Sequence, residues 1–596
     1  MVNVTINNRK IQVEEGMTIL QAAKQNGINI PHLCYLQDVH ECGSCRICVV
    51  EVEGAKSLQA SCITKVMDNM VVRTNTEKVR KTRKMLYELI LSDHRKDCLS
   101  CVRNQNCELQ ELGEIIQIEE ERFNGAYSKT CVDSTNPAIE RDMSKCILCR
   151  RCVTMCNEVQ GVSVLNAQNR GFQTTMGPSE GVQLKDMNCT YCGQCTTVCP
   201  VGALNEKDST KGVWEALYNP EIRVIIQTAP AIRAALGEEF GYEPGTLVTG
   251  KMAAALRRIG FDDVFDTNFA ADLTIIEEGS EFLQRVKKLL SNEKVSLPMI
   301  TSCSPGWIKY VEHSFPEQLS HLSSCKSPHM MLGALAKSFY ADKLGMRAEK
   351  IYVVSVMPCT AKKYEITREE MKSDVDAVLT TREMARMIKD AGIDFKSLPH
   401  EEFDNPMGLS SGAADIFGTT GGVMEAAIRT VFEIITGNEL PFDNLHVKPI
   451  MGLSGIKEGE LFIENAVDDW KALEGVTVKV AVASGLSNDK ILLQQIKEGT
   501  SPYHFIEIMC CPGGCISGGG QPRPTTEEVR IKRMEAIYRE DEGKDLRKSH
   551  DNPFIKKIYE EFLGEPLGHK SHELLHTHYI KRGKYNEYLE KYKSVE

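Results

Sequence analysis

Residues 146–156 read CILCRRCVTMC and residues 189–200 read CTYCGQCTTVCP, so the spacing C-x2-C-x2-C-x3-C occurs twice. Such a duplicated run holds two 4Fe-4S clusters, and the fourth cysteine of each run binds the cluster of the other run. The pattern predicts one cluster on Cys146, Cys149, Cys152 and Cys199 and a second on Cys189, Cys192, Cys195 and Cys156. Two complete runs argue against zinc and against a chance arrangement.

A second ligand pattern lies near the N-terminus. Residues 2–13 alternate as two short strands around Asn7 and Asn8, and residues 18–26 follow as a helix capped by Thr18. This order is typical of a β-grasp domain. Small residues at positions 43 and 44 let a loop fold over a metal centre. The spacing C-x10-C-x2-C-x13-C therefore predicts a 2Fe-2S cluster on Cys34, Cys45, Cys48 and Cys62.

A third pattern, His94-x3-Cys98-x2-Cys101-x5-Cys107, lies between the other two. Three thiolates and one imidazole suit tetrahedral zinc as well as a 4Fe-4S cluster, and geometry alone does not separate the two metals. Because cluster motifs lie on both sides, we interpret this pattern as a 4Fe-4S centre with one histidine ligand.

The bulk composition is that of a globular protein of several domains. The chain has 596 residues, of which 42% are hydrophobic. Many of its 23 cysteines cluster in the C-x2-C pattern of intracellular metal sites, which predicts a reducing, cytoplasmic location. The N-terminus lacks a secretion signal, and no stretch reaches the ~18 apolar residues that membrane insertion needs. The net charge of −11, without long charged runs, argues against nucleic acid as a partner.

The composition changes near residue 220. Apolar runs typical of strands occupy residues 223–230, 297–301, 351–357 and 476–483, and amphipathic helices such as 251–259 and 278–290 alternate with them. Strand-helix alternation over roughly 300 residues predicts parallel sheets covered by helices. In such sheets the active site lies in loops at the strand ends.

Three of these strand-end loops carry cysteines. Residues 301–307 read TSCSPGW, residues 357–365 read MPCTAKKYE, and residues 507–520 read EIMCCPGGCISGGG. The glycines of the third loop would let the backbone close on a metal cluster. A phosphate-binding loop is the alternative, but no Gly-Lys-Ser/Thr follows.

With these loops and all the upstream motifs, the chain closely resembles the catalytic subunit of FeFe (iron-only) hydrogenases of the long type, with complex I-like N-terminal iron-sulfur domains. The resemblance implies an H-cluster, in which a 4Fe-4S cubane is bridged by a cysteine sulfur to a two-iron unit with CO, cyanide and azadithiolate. Cys359 and Cys511 would hold the cubane, and Cys515 would bridge to the two-iron unit. Lys362 would donate a charge-assisted hydrogen bond to a cyanide. The implied pocket lining is Pro230, Ala231, Met357 and Met509.

The implied reaction is the reversible conversion of two protons and two electrons into H2, with electrons relayed through one 2Fe-2S and three 4Fe-4S accessory clusters. The family's proton route maps onto Cys303 beside the H-cluster, then Glu278, Ser323 and Glu281, with Arg285 at the surface. Without the resemblance, the spacing of the two glutamates and the arginine suits a solvated helix face.

The sequence departs from the family pattern at Ser304. The first loop of the family commonly reads Thr-Ser-Cys-Cys-Pro, in which the second cysteine ligates the cubane. The spare thiols Cys325 and Cys510 are candidates to replace it, and we favour Cys325 because Ser323 is already assigned to the same neighbourhood. Cys303 as the ligand and Ser304 binding through oxygen are rival assignments, and Cys325 as a small buried residue is the plain alternative.

The Cys-Ser variant also resembles subunits of multimeric, electron-bifurcating hydrogenases. No Rossmann fingerprint is present, so NAD(P) would bind to a partner. The expected partners are a flavin- and NAD(P)-binding subunit, a small 2Fe-2S subunit and ferredoxin. A monomeric ferredoxin-dependent hydrogenase, an H2 sensor and a cluster-assembly scaffold are the alternatives. The five histidines between residues 550 and 578 fit no compact ligand set and are interpreted as surface or packing residues.

These motifs predict a multidomain α+β and α/β protein that ends in a large two-lobed H-cluster domain and a helical tail. The expected domains are a β-grasp 2Fe-2S domain (1–78), a 4Fe-4S domain with one histidine and three cysteine ligands (79–135), a ferredoxin domain with two 4Fe-4S clusters (136–210), the H-cluster catalytic domain (215–522) and a C-terminal segment resembling the family's small subunit (523–596).

Overall fold

The computed structural model describes residues 1–118, 120, 122–123, 125–128, 131–179 and 181–583. The chain divides into two compact units. The first comprises residues 1–187 and 198–205, and the second comprises residues 188–197 and the chain from residue 206 onward. The short segment 188–197 therefore folds with the second unit.

The N-terminal part of the first unit is a five-stranded sheet with one helix against it, as the sequence predicts. Its elements are β1 (Val2–Ile6), β2 (Arg9–Val13), α1 (Ile19–Gln25), β3 (Val49–Val52), β4 (Gln59–Ala60) and β5 (Met70–Arg73). The strand order is β2-β1-β5-β3-β4, in which β1 and β5 run parallel. Asn7 and Asn8 turn the first hairpin with φ values of 48° and 66°, a conformation that asparagine tolerates. Thr18 caps α1 in a capping box with Gln21.

The rest of the first unit consists of short elements joined by the loops that carry cysteines. Its elements are α2 (Glu77–Ser92), α3 (Glu108–Ile116), β6 (Val132–Asp133), β7 (Ile139–Asp142), α4 (Arg151–Thr154), β8 (Asn166–Gln168) and β9 (Thr175–Gly177). Helix α5 (Gln194–Val198) and strand β10 (Leu204–Glu206) follow in the chain.

Two four-stranded sheets form the centre of the second unit. Their strands are β11 (Arg223–Thr228), β12 (Asp263–Asp266), β13 (Met299–Ile300), β14 (Ile351–Met357), β15 (Ala377–Thr380), β16 (Ile456–Phe462), β17 (Thr477–Ser484) and β18 (Phe505–Met509). The first sheet has the order β12-β11-β14-β15 and is parallel throughout. The second has the order β13-β18-β17-β16, and only its edge strand β16 is antiparallel.

Helices cover both sheets. They are α6 (Thr210–Leu217), α7 (Thr249–Ile259), α8 (Thr267–Leu290), α9 (Pro305–Ser314), α10 (Pro328–Leu335), α11 (Ala341–Leu344), α12 (Lys362–Glu365), α13 (Thr381–Asp390), α14 (Gly412–Asp415), α15 (Gly422–Thr436) and α16 (Leu486–Lys497). Helix α8 contributes Leu273 to one hydrophobic core and Ile275 to the other. Because α8 packs into both cores, its acidic side chains are enclosed rather than solvated.

The C-terminal segment adds three helices, α17 (Glu527–Glu542), α18 (Pro553–Ile558) and α19 (His569–Leu575). Residues 584–596 of the expected segment 523–596 lie outside the described residues. Among the residues that the structure describes, every helix is too short or too polar to cross a membrane.

Candidate catalytic site and metal centres

The three cysteine-bearing loops each leave the carboxyl end of a strand in the second unit. Cys303 follows β13, Cys359 follows β14, and Cys511 follows β18. Because β14 belongs to one sheet and β13 and β18 to the other, both sheets contribute loops to the site.

The thiols of Cys359, Cys511 and Cys515 are neighbours in a dry environment. Burial, and then the proximity of Cys511 and Cys515, raises the pKa of Cys359 well above its usual range. Burial and the neighbouring Cys511 likewise raise the pKa of Cys515 to about 12. Crowded buried thiols are costly to ionise unless a metal compensates their charge. This donor set fits the cubane that the family resemblance implies.

Lys362 is anchored beside these thiols at the start of α12. Its Nζ donates to the backbone oxygen of Cys303 at 3.0 Å and to Glu365 Oε2 at 2.8 Å. His329 Nε2 lies 2.7 Å from the same carboxylate oxygen. Burial raises the pKa of Glu365, but Lys362 and His329 outweigh that effect and hold it at about 2. The carboxylate therefore stays charged and fixes the ammonium group.

The glycine-rich third loop packs backbone against backbone. A Cβ atom on Gly518 would lie 2.2 Å from the carbonyl oxygen of Pro358, and one on Gly519 would lie 2.3 Å from that of Cys192. Neither position has room for a side chain. The glycines therefore close the loop onto the protein, in keeping with the cluster-binding interpretation.

Segment 188–197 is bonded to the same loop. The Gln194 side chain donates to the carbonyl oxygen of Ser517 at 2.9 Å, and Thr196 Oγ1 donates to that of Gly519 at 3.0 Å. This segment carries the proposed cluster ligands Cys189, Cys192 and Cys195. Their expected fourth partner, Cys156, belongs to the first unit.

The expected pocket residues stand at the ends of central strands. Met357 and Met509 are the last residues of β14 and β18, and both are buried. Pro230 and Ala231 follow β11 and are also buried. Gln521 was not among the sequence-predicted residues, yet its Nε2 donates to the carbonyl oxygens of Ala231 at 3.2 Å and Cys515 at 3.3 Å.

The residues of the expected proton route are brought together inside the second unit. Ser323 Oγ donates to Glu281 Oε2 at 3.3 Å, and Arg285 Nη2 lies 2.7 Å from Glu281 Oε1. Burial raises the pKa of Glu278 to about 8 despite a hydrogen bond with Ser323. Burial and the nearby Glu278 raise the pKa of the Cys303 thiol. Hydrogen bonds therefore join Glu278, Ser323, Glu281 and Arg285, and Cys303 lies close enough to Glu278 for their charges to interact.

A branch of this network was missed by the sequence analysis. Ser324 Oγ lies 3.0 Å from Glu281 Oε2 and 2.8 Å from His576 Nδ1. His576 Nε2 lies 3.1 Å from Glu277 Oε2. His576 is buried, so it is a packing histidine. No local signal pairs it with α8, because the partners are 299 residues apart in the chain.

Cys325 lies in this branch rather than among the H-cluster thiols. A ligand atom from each of Glu281, Cys325 and His576 falls within 4.8 Å of the other two. The residues that raise the pKa of the buried Cys325 thiol, after burial itself, are Glu281, Glu278 and Glu277. Its predicted role as the fourth cubane ligand thus gains no support from its neighbours.

The first unit gathers the four thiols expected for the 2Fe-2S cluster. The Cys34 side chain makes hydrogen-bonding contacts with those of Cys45 and Cys62, and Cys48 makes one with Cys62. Cys42 and Cys131, which fit none of the ligand spacings in this unit, are exposed.

His94 has the environment of a metal ligand. Its buried Nδ1 has no hydrogen-bond partner among the described residues, while the ring also bonds to the backbone of Lys145. A ligating histidine is commonly oriented by a bond from its other ring nitrogen to a carbonyl. The structure places Cys98, Cys101 and Cys107 in the same unit, and Cys107 is buried.

One pocket of the first unit collects a complete predicted cluster set. It is lined by Cys146, Cys149, Cys152 and Cys199 together with apolar residues. Burial, and nearby Cys199 and Cys146, raises the pKa of Cys149 despite the opposing charge of Arg151. The pocket fits a 4Fe-4S cluster.

Family models match the chain along nearly all of its length. Residues 222–519 match the iron only hydrogenase large subunit, C-terminal domain, and residues 527–582 match the iron hydrogenase small subunit. Residues 1–77 match a 2Fe-2S iron-sulfur cluster binding domain. Residues 83–122 match the NADH-ubiquinone oxidoreductase-G iron-sulfur binding region, and residues 136–205 match the NADH-quinone oxidoreductase subunit 3 ferredoxin-like domain.

The chain belongs to the FeFe (iron-only) hydrogenase family, and it is a long-type catalytic subunit with N-terminal iron-sulfur domains. It is 51% identical over 593 residues to the NADP-reducing hydrogenase subunit HndD of Solidesulfovibrio fructosivorans, covering 98% of this chain and 99% of that protein. It is 40% identical to Iron hydrogenase 1 of Clostridium pasteurianum, covering 98% of this chain and 100% of that protein. A solved structure of the [FeFe]-hydrogenase HydA1 from Chlamydomonas reinhardtii is 44% identical with a TM-score of 0.56, covering 62% of this chain and 99% of that one.

Proposed function

We propose that this chain interconverts H2 with protons and electrons at an H-cluster held by Cys359, Cys511 and Cys515. One observation carries the proposal. The three neighbouring thiols lie beside the ammonium group of Lys362, which is bonded to the backbone oxygen of Cys303, and the Cys303 thiol lies near the buried acid Glu278. When bound, the H-cluster supplies the redox-active irons and the open coordination position at which H2 is made or split.

The chain's own residues move the proton. The Cys303 thiol exchanges a proton with Glu278, whose raised pKa keeps it protonated near neutral pH and able to donate. Ser323 passes the proton to Glu281, which Arg285 holds at 2.7 Å. Glu278, Glu281 and Ser323 are buried, so bulk water is excluded from this part of the route.

Electrons reach the site through one 2Fe-2S and three 4Fe-4S accessory clusters. Three observations in the first unit support these assignments. They are the close contacts among the thiols of residues 34–62, the cysteine-lined pocket, and a His94 Nδ1 that has no hydrogen-bond partner in the described part of the chain. The domain boundaries at residues 78, 135, 210 and 522 belong to the same proposal.

We further propose that the chain works within an electron-bifurcating complex that uses ferredoxin and NAD(P)H. The likeness to a subunit named NADP-reducing hydrogenase supports this. Because the sequence lacks a Rossmann fingerprint, a partner subunit would bind flavin and NAD(P), and a small 2Fe-2S subunit would join it. Neither nucleic acid nor membrane insertion has a part in this function.

Infrared spectra of the matured chain test the H-cluster, and bands from CO and cyanide are expected. The isolated chain should oxidise H2 with artificial dyes but leave NADH unreacted. Absence of the infrared bands would overturn the catalytic assignment, and NADH turnover by the pure chain would overturn the assigned partner.

A further inference from the structure

We propose that Cys510 supplies the fourth thiolate of the H-cluster cubane in place of the cysteine that Ser304 replaces. The inference rests on the proposed function, since it completes the ligand set of the same site. It revises our prediction from the sequence, which favoured Cys325.

Cys510 and Ser304 are in direct contact. The backbone N–H of Cys510 donates to Ser304 Oγ at 3.2 Å. Ser304 is the residue just before α9, at the position where the common family loop carries its ligand cysteine. The two loops therefore meet where a thiolate is missing.

The sulfur of Cys510 lies over the first turn of α9. A Cβ atom on Gly306 would lie 2.7 Å from Cys510 Sγ, so only the missing side chain of Gly306 makes room for the thiol. The start of a helix carries a positive partial charge, which favours a thiolate there. The thiol also makes hydrogen-bonding contacts with Cys511, a proposed cubane ligand, and with Cys192.

Counting ligands decides which cluster Cys510 joins. The cluster proposed for Cys192 already has four cysteines, whereas the H-cluster cubane has three. The other candidates are worse placed: Cys325 lies within 4.8 Å of Glu281 and His576, and Cys303 begins the proton route.

Two successive residues can bind one cluster here because the strand has ended. Strand β18 stops at Met509, so Cys510 and Cys511 do not alternate across a sheet. On binding iron, the Cys510 thiol releases one proton and its sulfur donates an electron pair to the fourth iron. No electron is exchanged with an outside reagent.

The test uses the full chain produced without the maturation proteins, so that it holds iron-sulfur clusters but no two-iron unit. Cys510→Ala should lose about one to four iron atoms per chain and the EPR signal of one reduced 4Fe-4S cluster. The matched control, Cys325→Ala, should retain the iron content and every signal of the unchanged chain.

A double variant separates lost ligation from damaged folding. Ser304→Cys combined with Cys510→Ala restores a thiolate at the start of α9, and it should regain the iron and the missing signal. The proposal is overturned if Cys510→Ala keeps a full cubane, if Cys325→Ala loses it, or if the double variant stays short of iron. None of these readouts requires H2 turnover, so they stand apart from the infrared test of the matured chain.

Discussion

Replacing Glu278 with glutamine tests the proton route and the burial of α8 together. The side chain is 2% exposed, and burial raises its pKa from 4.5 to about 8. A glutamine keeps the size and the hydrogen-bonding capacity of the protonated acid but cannot release a proton. We expect dye-linked H2 oxidation to fall by about 100-fold or more.

The same substitution changes how stability depends on pH. One pKa unit corresponds to about 1.4 kcal/mol, so ionising Glu278 in the folded protein costs on the order of 5 kcal/mol more than in the unfolded chain. The folded-state pKa is higher than the unfolded-state pKa, so the folded protein binds the Glu278 proton more tightly than the unfolded chain does. The stability that this difference gives is fully present below pH 4.5, and it is lost as the pH rises through about 8. The Glu278→Gln variant lacks this loss.

Anaerobic urea unfolding of both proteins between pH 5 and pH 8.5 measures the effect. The difference in unfolding free energy between the variant and the unchanged chain should shift in favour of the variant by about 4 kcal/mol as the pH rises from 5 to 8.5. Asp272→Asn is the control, since Asp272 is a buried acid of α8 whose pKa burial also raises, but it bonds to Ser411 and Asn552 away from the proton route. It should retain H2 oxidation. Full activity in Glu278→Gln, or parallel pH curves for the two proteins, would refute the reasoning.

Three further substitutions probe other parts of the site. Lys362→Gln leaves the carboxylate of Glu365 buried without its ammonium partner, so urea unfolding should show a loss of about 3–5 kcal/mol, and an unchanged midpoint would count against the ion pair. His94→Ala should lose the EPR signal of one 4Fe-4S cluster while His94→Cys keeps it; stoichiometric zinc in the unchanged chain would point to a zinc site instead. His576→Gln breaks the contact with Glu277 and should lower the free energy of unfolding by about 1–3 kcal/mol, whereas equal thermal midpoints would mean that the contact adds nothing.

Much of the central architecture could be predicted from local patterns. The apolar run of β14 was predicted with its observed ends, Ile351 and Met357, because a fully buried parallel strand is uniformly hydrophobic. The predicted helix beginning at residue 278 in fact starts at Thr267. Its first half is buried on all sides, so it lacks the polar stripe that marks an amphipathic helix. Strand β16 was missed because it is a half-exposed edge strand.

The site was less predictable where it depends on contacts distant in the chain. Spacing grouped the cysteines of each motif, since ligands a few residues apart reach one cluster. It did not show that Cys510 lies against Ser304, 206 residues earlier. The preference for Cys325 relied on its closeness to Ser323 in the chain, and the side chains of both residues lie beside Glu281 rather than among the H-cluster thiols. Contacts between residues so far apart in the chain depend on how the loops pack, and local sequence patterns do not contain that information.

Segment 188–197 has a consequence for the speed of electron delivery. Its residues are bonded to the loop of Cys515 through the carbonyl oxygens of Ser517 and Gly519. Electron tunnelling slows steeply as the gap between donor and acceptor widens. In the proposed assignment, three ligands of one accessory cluster, Cys189, Cys192 and Cys195, therefore fold with the catalytic unit. A shortened chain that began after residue 205 would keep both central sheets but lose these three proposed ligands, and we expect its electron transfer to and from outside partners to be slower.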